Sequence, residues 1–252
     1  MTAQLHFYLI RGLVREAGHW GRFRSILQHH FPTAHVTTID LPGAGTRFCD
    51  VTPCSVGEMV EQMRQDYLKA KGTNQHAHLV AISLGGMIAL DWMRQFPTDF
   101  QSSTLINTSY GDLSPPHQRL KPGALAHLLR VPFASNVEAR ERMILELVTN
   151  HRSHFDETLR DWTTIAHTRP VSLKNTFRQL LAASRFRTHG FAPSIPVQVL
   201  AARHDRMVDV ECSRAIARRW GAPLTEHPTA GHELSNDAPE WIVDQIQAFL
   251  KT

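Results

Sequence analysis

The residues whose types and spacing best suit chemistry surround Ser83, in the run Ala81-Ile82-Ser83-Leu84-Gly85-Gly86. The run follows an apolar stretch and precedes a helical pattern. A sharp turn from a strand into a helix exposes its central side chain above the sheet, and its flanking residues must be small so that their Cβ atoms do not collide. The alanine and the two glycines of the run meet that requirement. The pattern predicts a nucleophilic serine; the alternative is a glycine-rich turn with an incidental serine.

A serine hydroxyl is a weak nucleophile until a base accepts its proton, so a histidine and an acid should follow. Gly231-His232 lies in a loop before the last helical pattern, and Asp205 and Asp209 both follow an apolar run. Either acid could orient the histidine and stabilise its cation. Alternatively, His232 is an exposed loop residue and Asp209 caps the next helix. Serine, acid and histidine in this order support one another and predict acyl transfer through a Ser-His-Asp triad.

Acyl transfer also needs donors for the oxyanion of the tetrahedral intermediate. The backbone N–H of Leu84, directly after the serine, is the first expected donor. The second is the N–H of Leu13, in the turn Arg11-Gly12-Leu13 after the first apolar run. Each preorganised donor of this kind contributes roughly 3 kcal/mol to stabilisation of the transition state.

The elements that must position these residues are short apolar runs alternating with longer helical patterns. The runs are nearly continuous in apolar character, as strands covered on both faces should be. Alternation of strands and helices predicts an α/β fold with a mainly parallel sheet flanked by helices, whose ligands bind beyond the carboxyl ends of the strands. The predicted strands are Leu5–Ile10, His35–Ile39, Ala77–Ile82, Ser103–Ile106, Val197–Ala201 and, more weakly, Pro223–His227. The predicted helices are Trp20–His29, Val56–Lys69, Leu84–Phe96, Glu211–Trp220 and Ala238–Leu250, the last with Asp237 as its N-cap.

The alternation stops over residues 111–187, where helical segments punctuated by prolines take its place. A helical block between two strands predicts a cap over the carboxyl edge of the sheet. Residues 1–110 and 188–252 then form the core domain, and the cap precedes the strand that leads to Asp205. The expected cap helices are Ala124–Leu129, Val137–Asn150, Asp156–Ala166 and Val171–Ala183.

Composition excludes several classes of protein. With 42% hydrophobic and 20% charged residues, the 252-residue chain is typical of a globular protein. Three cysteines form no disulfide framework, and the sixteen histidines are scattered without metal-ligand spacing, so we expect neither metal nor cofactor. No segment has the pattern of a signal peptide or the length of a membrane span, so we expect a cytoplasmic protein that binds no membrane. Basic residues interleaved with acids, without stacking aromatics, disfavour nucleic-acid binding.

Several motifs together resemble those of the α/β-hydrolase superfamily across nearly the whole chain. Arg11-Gly12-Leu13 resembles the turn after the first core strand, and Asp40-Leu41-Pro42-Gly43-Ala44-Gly45 resembles a D-x-P-G-x-G loop. The run 81–86 resembles the nucleophile elbow, and Ala230-Gly231-His232 followed by Pro239-Glu240 resembles the ending of the family. The resemblance implies the α/β-hydrolase fold, the triad Ser83, Asp205 and His232, and Asp205 rather than Asp209 as the acid. The chain departs from the pattern in having Ala81 for a glycine and Arg11 for a histidine.

Within the superfamily the chain resembles small microbial carboxylesterases, including pimeloyl-acyl-carrier-protein methyl ester esterases. This resemblance implies a serine esterase for small-molecule esters. Acyl thioesterase, carrier-linked methyl ester esterase and non-catalytic ligand sensor remain alternatives. Phe133 and Trp162 are candidates for an acyl pocket in the cap, and Arg11 is expected to face the same site.

The charge of the predicted cap suggests a partner. Residues 112–187 carry twelve Lys and Arg against seven Asp and Glu, whereas the net charge of the whole chain is +4. Such a surface could dock an acidic carrier protein; the alternative is an ordinary solvated helix face. The arginines in question are Arg130, Arg140, Arg142, Arg152, Arg160, Arg178, Arg185 and Arg187.

Overall fold

Six parallel strands form one sheet in the computed structural model, which describes residues 4–72 and 75–251. Residues 1–3, 73, 74 and 252 of the predicted core lie outside the described residues. The strand order is β2-β1-β3-β4-β5-β6. The strands are β1 (Gln4–Ile10), β2 (His35–Ile39), β3 (Gln75–Ile82), β4 (Ser102–Ile106), β5 (Val197–Ala202) and β6 (Leu224–His227). Each predicted strand is confirmed to within two residues at either end.

Helices cover both faces of this sheet, which explains the continuous apolar runs. Successive residues of a strand point to opposite faces, so Tyr8 and Ile10 join one buried cluster while Phe7 and Leu9 join another. These clusters form the core on the two sides of the sheet. The predicted mainly parallel sheet flanked by helices is therefore confirmed.

The core helices begin and end within three residues of the predicted positions, except for the short α10, which the sequence analysis did not predict. They are α1 (Phe23–His30), α2 (Val56–Ala70), α3 (Leu84–Gln95), α9 (Val210–Trp220), α10 (Leu234–Asp237) and α11 (Pro239–Phe249). Helices α2, α3 and α9 contribute to the first cluster, and α1 and α11 to the second. Asp209 is the N-cap of α9 and accepts a hydrogen bond from the N–H of Glu211.

Two details of the predicted helices are wrong. The first helix is interrupted because Gly21 has a φ of 48°, so Ala17–Trp20 forms a separate 3-10 turn before α1. The N-cap of α11 is Ala238, without a side-chain hydrogen bond. Asp237 instead accepts hydrogen bonds from three backbone N–H groups, those of Asn150, His151 and Gly231.

Between β4 and β5 the described chain forms helices only, and we call residues 116–185 the helical insertion. Its helices are α4 (Pro116–Arg119), α5 (Pro122–Leu128), α6 (Val137–Val148), α7 (Phe155–Thr168) and α8 (Leu173–Arg185). A separate apolar cluster, which includes Leu145, Leu159 and Trp162, forms its core. The insertion contacts loops at the carboxyl ends of the strands, as a cap would. The proposed domain boundaries at residues 111 and 187 stay a prediction.

Candidate active site

Ser83 lies at the sharp turn between β3 and α3. Its φ of 57° and ψ of −121° are unusual for a residue with a side chain. The turn is fixed from both sides, because the Ser83 N–H donates to the carbonyl of Ile106 at 2.9 Å and the Thr108 hydroxyl donates to the carbonyl of Ser83 at 2.8 Å. The strained residue is thus held by the end of the neighbouring strand β4.

The small residues after Ser83 are required by close packing. A Cβ atom on Gly85 would lie 2.6 Å from the carbonyl oxygen of Ile10, at the end of β1. A Cβ atom on Gly86 would lie 2.5 Å from the side chain of Thr108. Helix α3 therefore starts against β1 and the segment after β4, which is why the sequence has glycine at both positions.

His232 and Asp205 are in direct contact at the same edge of the sheet. Nδ1 of His232 donates to a carboxylate oxygen of Asp205 at 2.6 Å, and both residues are at most 5% exposed. The other carboxylate oxygen of Asp205 accepts from the N–H groups of Met207 and Val208, at 2.7 and 2.9 Å. Nε2 of His232 makes no hydrogen bond to any described residue. The carboxylate therefore fixes the tautomer that leaves Nε2 able to accept a proton.

Burial and charge act in opposite directions on His232. Burial lowers the pKa of the imidazole, but the charge of Asp205 and its hydrogen bond outweigh burial, so the net pKa is raised above the usual 6.5. Glu233 adds to this rise and Arg11 opposes it. The site therefore stabilises the imidazolium that forms when the histidine takes a proton.

The second acid considered from the sequence, Asp209, lies elsewhere. Its carboxylate caps α9 and forms an ion pair with Lys121 at 3.4 Å. The lysine also donates to the backbone carbonyl of Asp205 at 2.8 Å. The structure thus brings Asp205, and not Asp209, against His232.

The turn Arg11-Gly12-Leu13 passes directly beside Ser83. A Cβ atom on Gly12 would lie 3.0 Å from Cβ of Ser83 and 3.5 Å from its Oγ. The N–H groups of Leu13 and Leu84 donate to no other described residue. Leu84 is the first residue of α3, where an N–H has no partner within the helix. Both N–H groups are thus without an acceptor among the described residues, as the predicted oxyanion donors should be.

Comparison with known proteins agrees with this geometry. The family model described as the alpha/beta hydrolase family matches residues 7–245. The chain belongs to the α/β-hydrolase family. A curated pimeloyl-[acyl-carrier protein] methyl ester esterase of Methylococcus capsulatus is 31% identical over 219 residues, which cover 83% of this chain and 80% of that protein.

Solved structures of two other enzymes share the fold. An esterase from a Rhodococcus species superposes with a TM-score of 0.78 at 16% identity, covering 100% of this chain and 93% of the other. A 2-hydroxy-6-oxo-6-phenylhexa-2,4-dienoate hydrolase from another Rhodococcus strain has a TM-score of 0.75 at 17% identity, with 99% and 91% coverage. At these identities the likeness establishes the fold alone. The family and its esterase relative support a hydrolase of the esterase type.

Three residues expected near the substrate lie in other surroundings. The guanidinium of Arg11 is buried and binds the carboxylate of Glu233. Phe133 is 86% exposed on the surface of the insertion, in a 3-10 turn after α5. Trp162 is 2% exposed in the core of the insertion, beneath the guanidinium of Arg15 at 4.0 Å. This geometry gives no support to a pocket role for the three residues.

Two loops of this α/β-hydrolase contact the end of α6: the loop that carries Asp205, which we call the acid loop, and the loop that carries His232 and Glu233, which we call the histidine loop. The Glu233 N–H donates to the carbonyl of Val148 at 2.8 Å. The side-chain amide of Asn150 donates to the carbonyls of His204 and Thr229, at 3.1 and 3.0 Å. The end of α6 therefore helps to fix the positions of the two loops that carry His232 and Asp205.

Residues 14–16 follow the turn Arg11-Gly12-Leu13, which we call the proposed oxyanion turn, and contact the insertion at α6, at α8 and just after α7. Val14 has a φ of 59°, and its N–H donates to Oε1 of Gln179, in α8, at 2.8 Å. Arg15 forms a buried ion pair with Glu141, in α6, at 3.0 Å. Arg169, just after α7, binds the carboxylate of Glu16 at 2.6 and 2.7 Å. These contacts from the insertion thus fix the positions of residues 14–16.

Sequence reasoning missed Asn107, which joins three parts of the site. Its backbone N–H donates to the carbonyl of Leu200, and its side-chain carbonyl accepts from the N–H of Ala202 at 2.9 Å. Its Nδ2 donates to the carbonyl of His232 at 2.8 Å. Asn107 directly follows β4. A polar residue at the carboxyl end of a buried central strand was the signal that could have identified it.

The described part of the chain contains no candidate metal cluster and no candidate membrane span. No group of three or more His, Cys, Asp or Glu side chains there could hold a metal ion. Likewise, no helix over the described ranges is both long and apolar enough to cross a membrane.

Proposed function

We propose that this α/β-hydrolase is a serine carboxylesterase that cleaves small-molecule carboxylic esters through an acyl-enzyme. The Ser83 hydroxyl attacks the ester carbonyl carbon while Nε2 of His232 takes its proton. The imidazolium then gives that proton to the leaving alkoxide, which departs as the alcohol. Water attacks the acyl-enzyme with the same histidine as base, releasing the acid and restoring Ser83.

The backbone around the serine supplies the remaining stabilisation. Oxygen charge develops during both attacks, and the N–H groups of Leu13 and Leu84 are the proposed donors to it. Asp205 stays ionised and compensates the imidazolium. No step requires a cofactor.

One observation carries this proposal: a strained, fixed Ser83 follows β3, while a buried His232–Asp205 pair lies at the same sheet edge with Nε2 uncommitted. The test is labelling with a fluorophosphonate, followed by peptide mapping. We expect the label on Ser83 and its loss in Ser83→Ala, with Ser102→Ala as a control in the same chain. Label that survives Ser83→Ala, or wild-type protein that takes none, contradicts the mechanism.

Turnover distinguishes the esterase from a ligand sensor that retains the triad. We expect continuous hydrolysis of nitrophenyl esters, and a series of acyl chain lengths then defines the substrate preference. A burst of one product equivalent without further turnover favours the sensor. A matched panel of acyl thioesters tests the thioesterase alternative, which a higher kcat/KM for thioesters would favour.

A carrier-linked methyl ester is the second candidate substrate. The Methylococcus capsulatus relative is named for that activity. In addition, the insertion exposes arginines that form no ion pair with a described carboxylate, namely Arg130, Arg152, Arg160 and Arg185. Free guanidinium groups attract an acidic partner at low ionic strength.

The carrier hypothesis has a direct test. We expect Arg130→Glu and Arg160→Glu to raise KM for an acyl-carrier-protein methyl ester while leaving kcat/KM for a small methyl ester unchanged. Added salt should reproduce this selective loss. Lys251→Glu, at the far end of the chain, is the matched charge control. An equal KM for carrier and small ester in wild type and variants contradicts carrier docking.

A further inference from the structure

The side chains of Arg11 and Glu233 form a buried ion pair between two loops of the site. Two parallel hydrogen bonds, of 2.8 and 2.5 Å, join the guanidinium to the carboxylate. Ser235 completes the cluster, accepting from Arg11 at 3.0 Å and donating to Glu233 at 2.6 Å. The guanidinium also stacks 4.8 Å from the ring of Trp20. The two charged residues are 2% and 4% exposed.

The two partners are neighbours of the proposed machinery in sequence as well as in space. Arg11 directly precedes Gly12 and Leu13 of the oxyanion turn, and Glu233 directly follows His232. A bidentate Arg–carboxylate pair fixes both distance and orientation. Because the pair is buried, neither charged group can form hydrogen bonds with solvent instead, so each depends on the other.

We propose that Arg11 and Glu233 are positioning residues: their ion pair holds the oxyanion turn and the histidine loop in register around Ser83 and balances the charge beside His232. The inference rests on the proposed esterase function. It also explains why the chain combines an arginine at position 11 with a glutamate after the histidine: each buried charge requires the other.

Both parts of the inference follow from charge and distance. The charged groups that act on His232 are Asp205, Glu233 and Arg11. Glu233 favours the imidazolium, whereas Arg11 disfavours it. The two effects on the pKa of His232 oppose each other when both partners are present, and Asp205 is the largest cause that raises this pKa. Removing Arg11 should therefore raise the pKa of His232, whereas removing Glu233 should lower it.

The experiment compares Arg11→Met, Glu233→Gln and the double variant. We expect each to lower kcat by about tenfold to a hundredfold, the usual cost of small displacements among reacting groups. The acid limb of the pH profile of kcat/KM should move to higher pH in Arg11→Met, because an unpaired carboxylate remains. It should move to lower pH in Glu233→Gln, because an unpaired guanidinium remains. The double variant should return the limb close to that of wild type while kcat stays low.

A matched control is Arg64→Met. Arg64 also makes two hydrogen bonds to one buried carboxylate, that of Asp99, at 2.7 and 3.2 Å. Asp99 precedes the amino end of β4, at the opposite edge of the sheet from Ser83. Loss of this pair should lower the unfolding temperature without moving the pH profile. Opposite displacements restricted to Arg11 and Glu233 are an effect that lost stability alone does not produce.

A second readout separates this inference from the esterase proposal. The ring protons of His232, assigned by their absence in His232→Gln, are titrated by NMR in wild type and variants. If fluorophosphonate does not label wild-type Ser83, the esterase proposal fails and the NMR titration alone decides the role of the pair. Opposite displacements of the titration support the inference. Displacements in the same direction, or none, overturn it, as does a double variant with wild-type kcat. Should a single variant fail to fold, the double variant, which leaves no unpaired charge, still tests positioning through kcat.

Discussion

The side chain of Gln179 reaches from α8 to the backbone of Val14, where its Oε1 accepts a 2.8 Å hydrogen bond. Gln179 has no exposed surface, and Val14 is held at a φ of 59° that a β-branched residue rarely adopts. Val14 is adjacent to Leu13, whose N–H we assign to the oxyanion. The helical insertion is therefore joined to the proposed catalytic backbone by one buried side chain.

We expect Gln179→Leu to lower kcat more than it raises KM. The substitution leaves the Val14 N–H without a partner, at a cost of about 1–3 kcal/mol, and frees the turn to relax from its strained conformation. Thermal unfolding and steady-state kinetics with a nitrophenyl ester measure the two effects. Gln179→Glu retains the acceptor oxygen and should recover part of kcat. Unchanged kcat in Gln179→Leu would show that the turn does not depend on α8.

Replacing Gly12 should damage the site without unfolding the protein. The added Cβ in Gly12→Ala would lie 3.0 Å from Cβ of Ser83. Either the serine or the oxyanion turn must then shift by a few tenths of an ångström, and we expect kcat to fall by about tenfold or more. Gly123→Ala is the matched control, because a Cβ there meets no atom within 4 Å. Equal activities of the two variants would contradict the placement of the oxyanion turn beside Ser83.

The activity should rise with pH as the imidazolium of His232 loses its proton. Only the neutral imidazole accepts the serine proton, and the pKa of His232 is raised above 6.5 by Asp205, although burial acts to lower it. In Asp205→Asn the carboxylate is lost, so the acid limb of kcat/KM should move to lower pH. The kcat should also fall by roughly three to four orders of magnitude, since the tautomer is no longer fixed. Asp209→Asn should change neither quantity by as much; the reverse ranking of the two variants would reassign the acid.

Stability towards acid should depend on Glu226. Hydrogen bonds from Arg214 and Arg203, against a smaller opposing effect of burial, lower the pKa of Glu226 from 4.5 to about 2. A carboxyl whose pKa is lower in the folded state stabilises the fold above its unfolded pKa. This contribution is lost as the pH falls from about 4.5 to about 2. Glu226→Gln should therefore flatten the decline of the unfolding temperature over this pH range, measured by circular dichroism, whereas the exposed Glu61→Gln should leave the decline unchanged.

Much of the fold follows from local pattern. Buried parallel strands must be short and apolar on both faces, so runs such as Val197–Ala201 could be identified from composition alone. The elbow at Ser83 was equally local, because its small neighbours are a steric requirement of a turn only a few residues long. The sequence order of Asp205 and His232 was consistent with a triad, but it did not establish their contact.

The pairings across the site were decided only by tertiary structure. Glu233 is 222 residues from Arg11 in the chain, and Gln179 is 165 residues from Val14. No periodicity or spacing relates such residues, because their contact depends on how the sheet order brings separate loops to one edge. The sequence by itself therefore determined the α/β-hydrolase fold and the candidate residues Ser83, Asp205 and His232. The tertiary structure alone established that Asp205, and not Asp209, contacts His232. It alone also paired Arg11 with Glu233, because a buried guanidinium needs a carboxylate within hydrogen-bond distance.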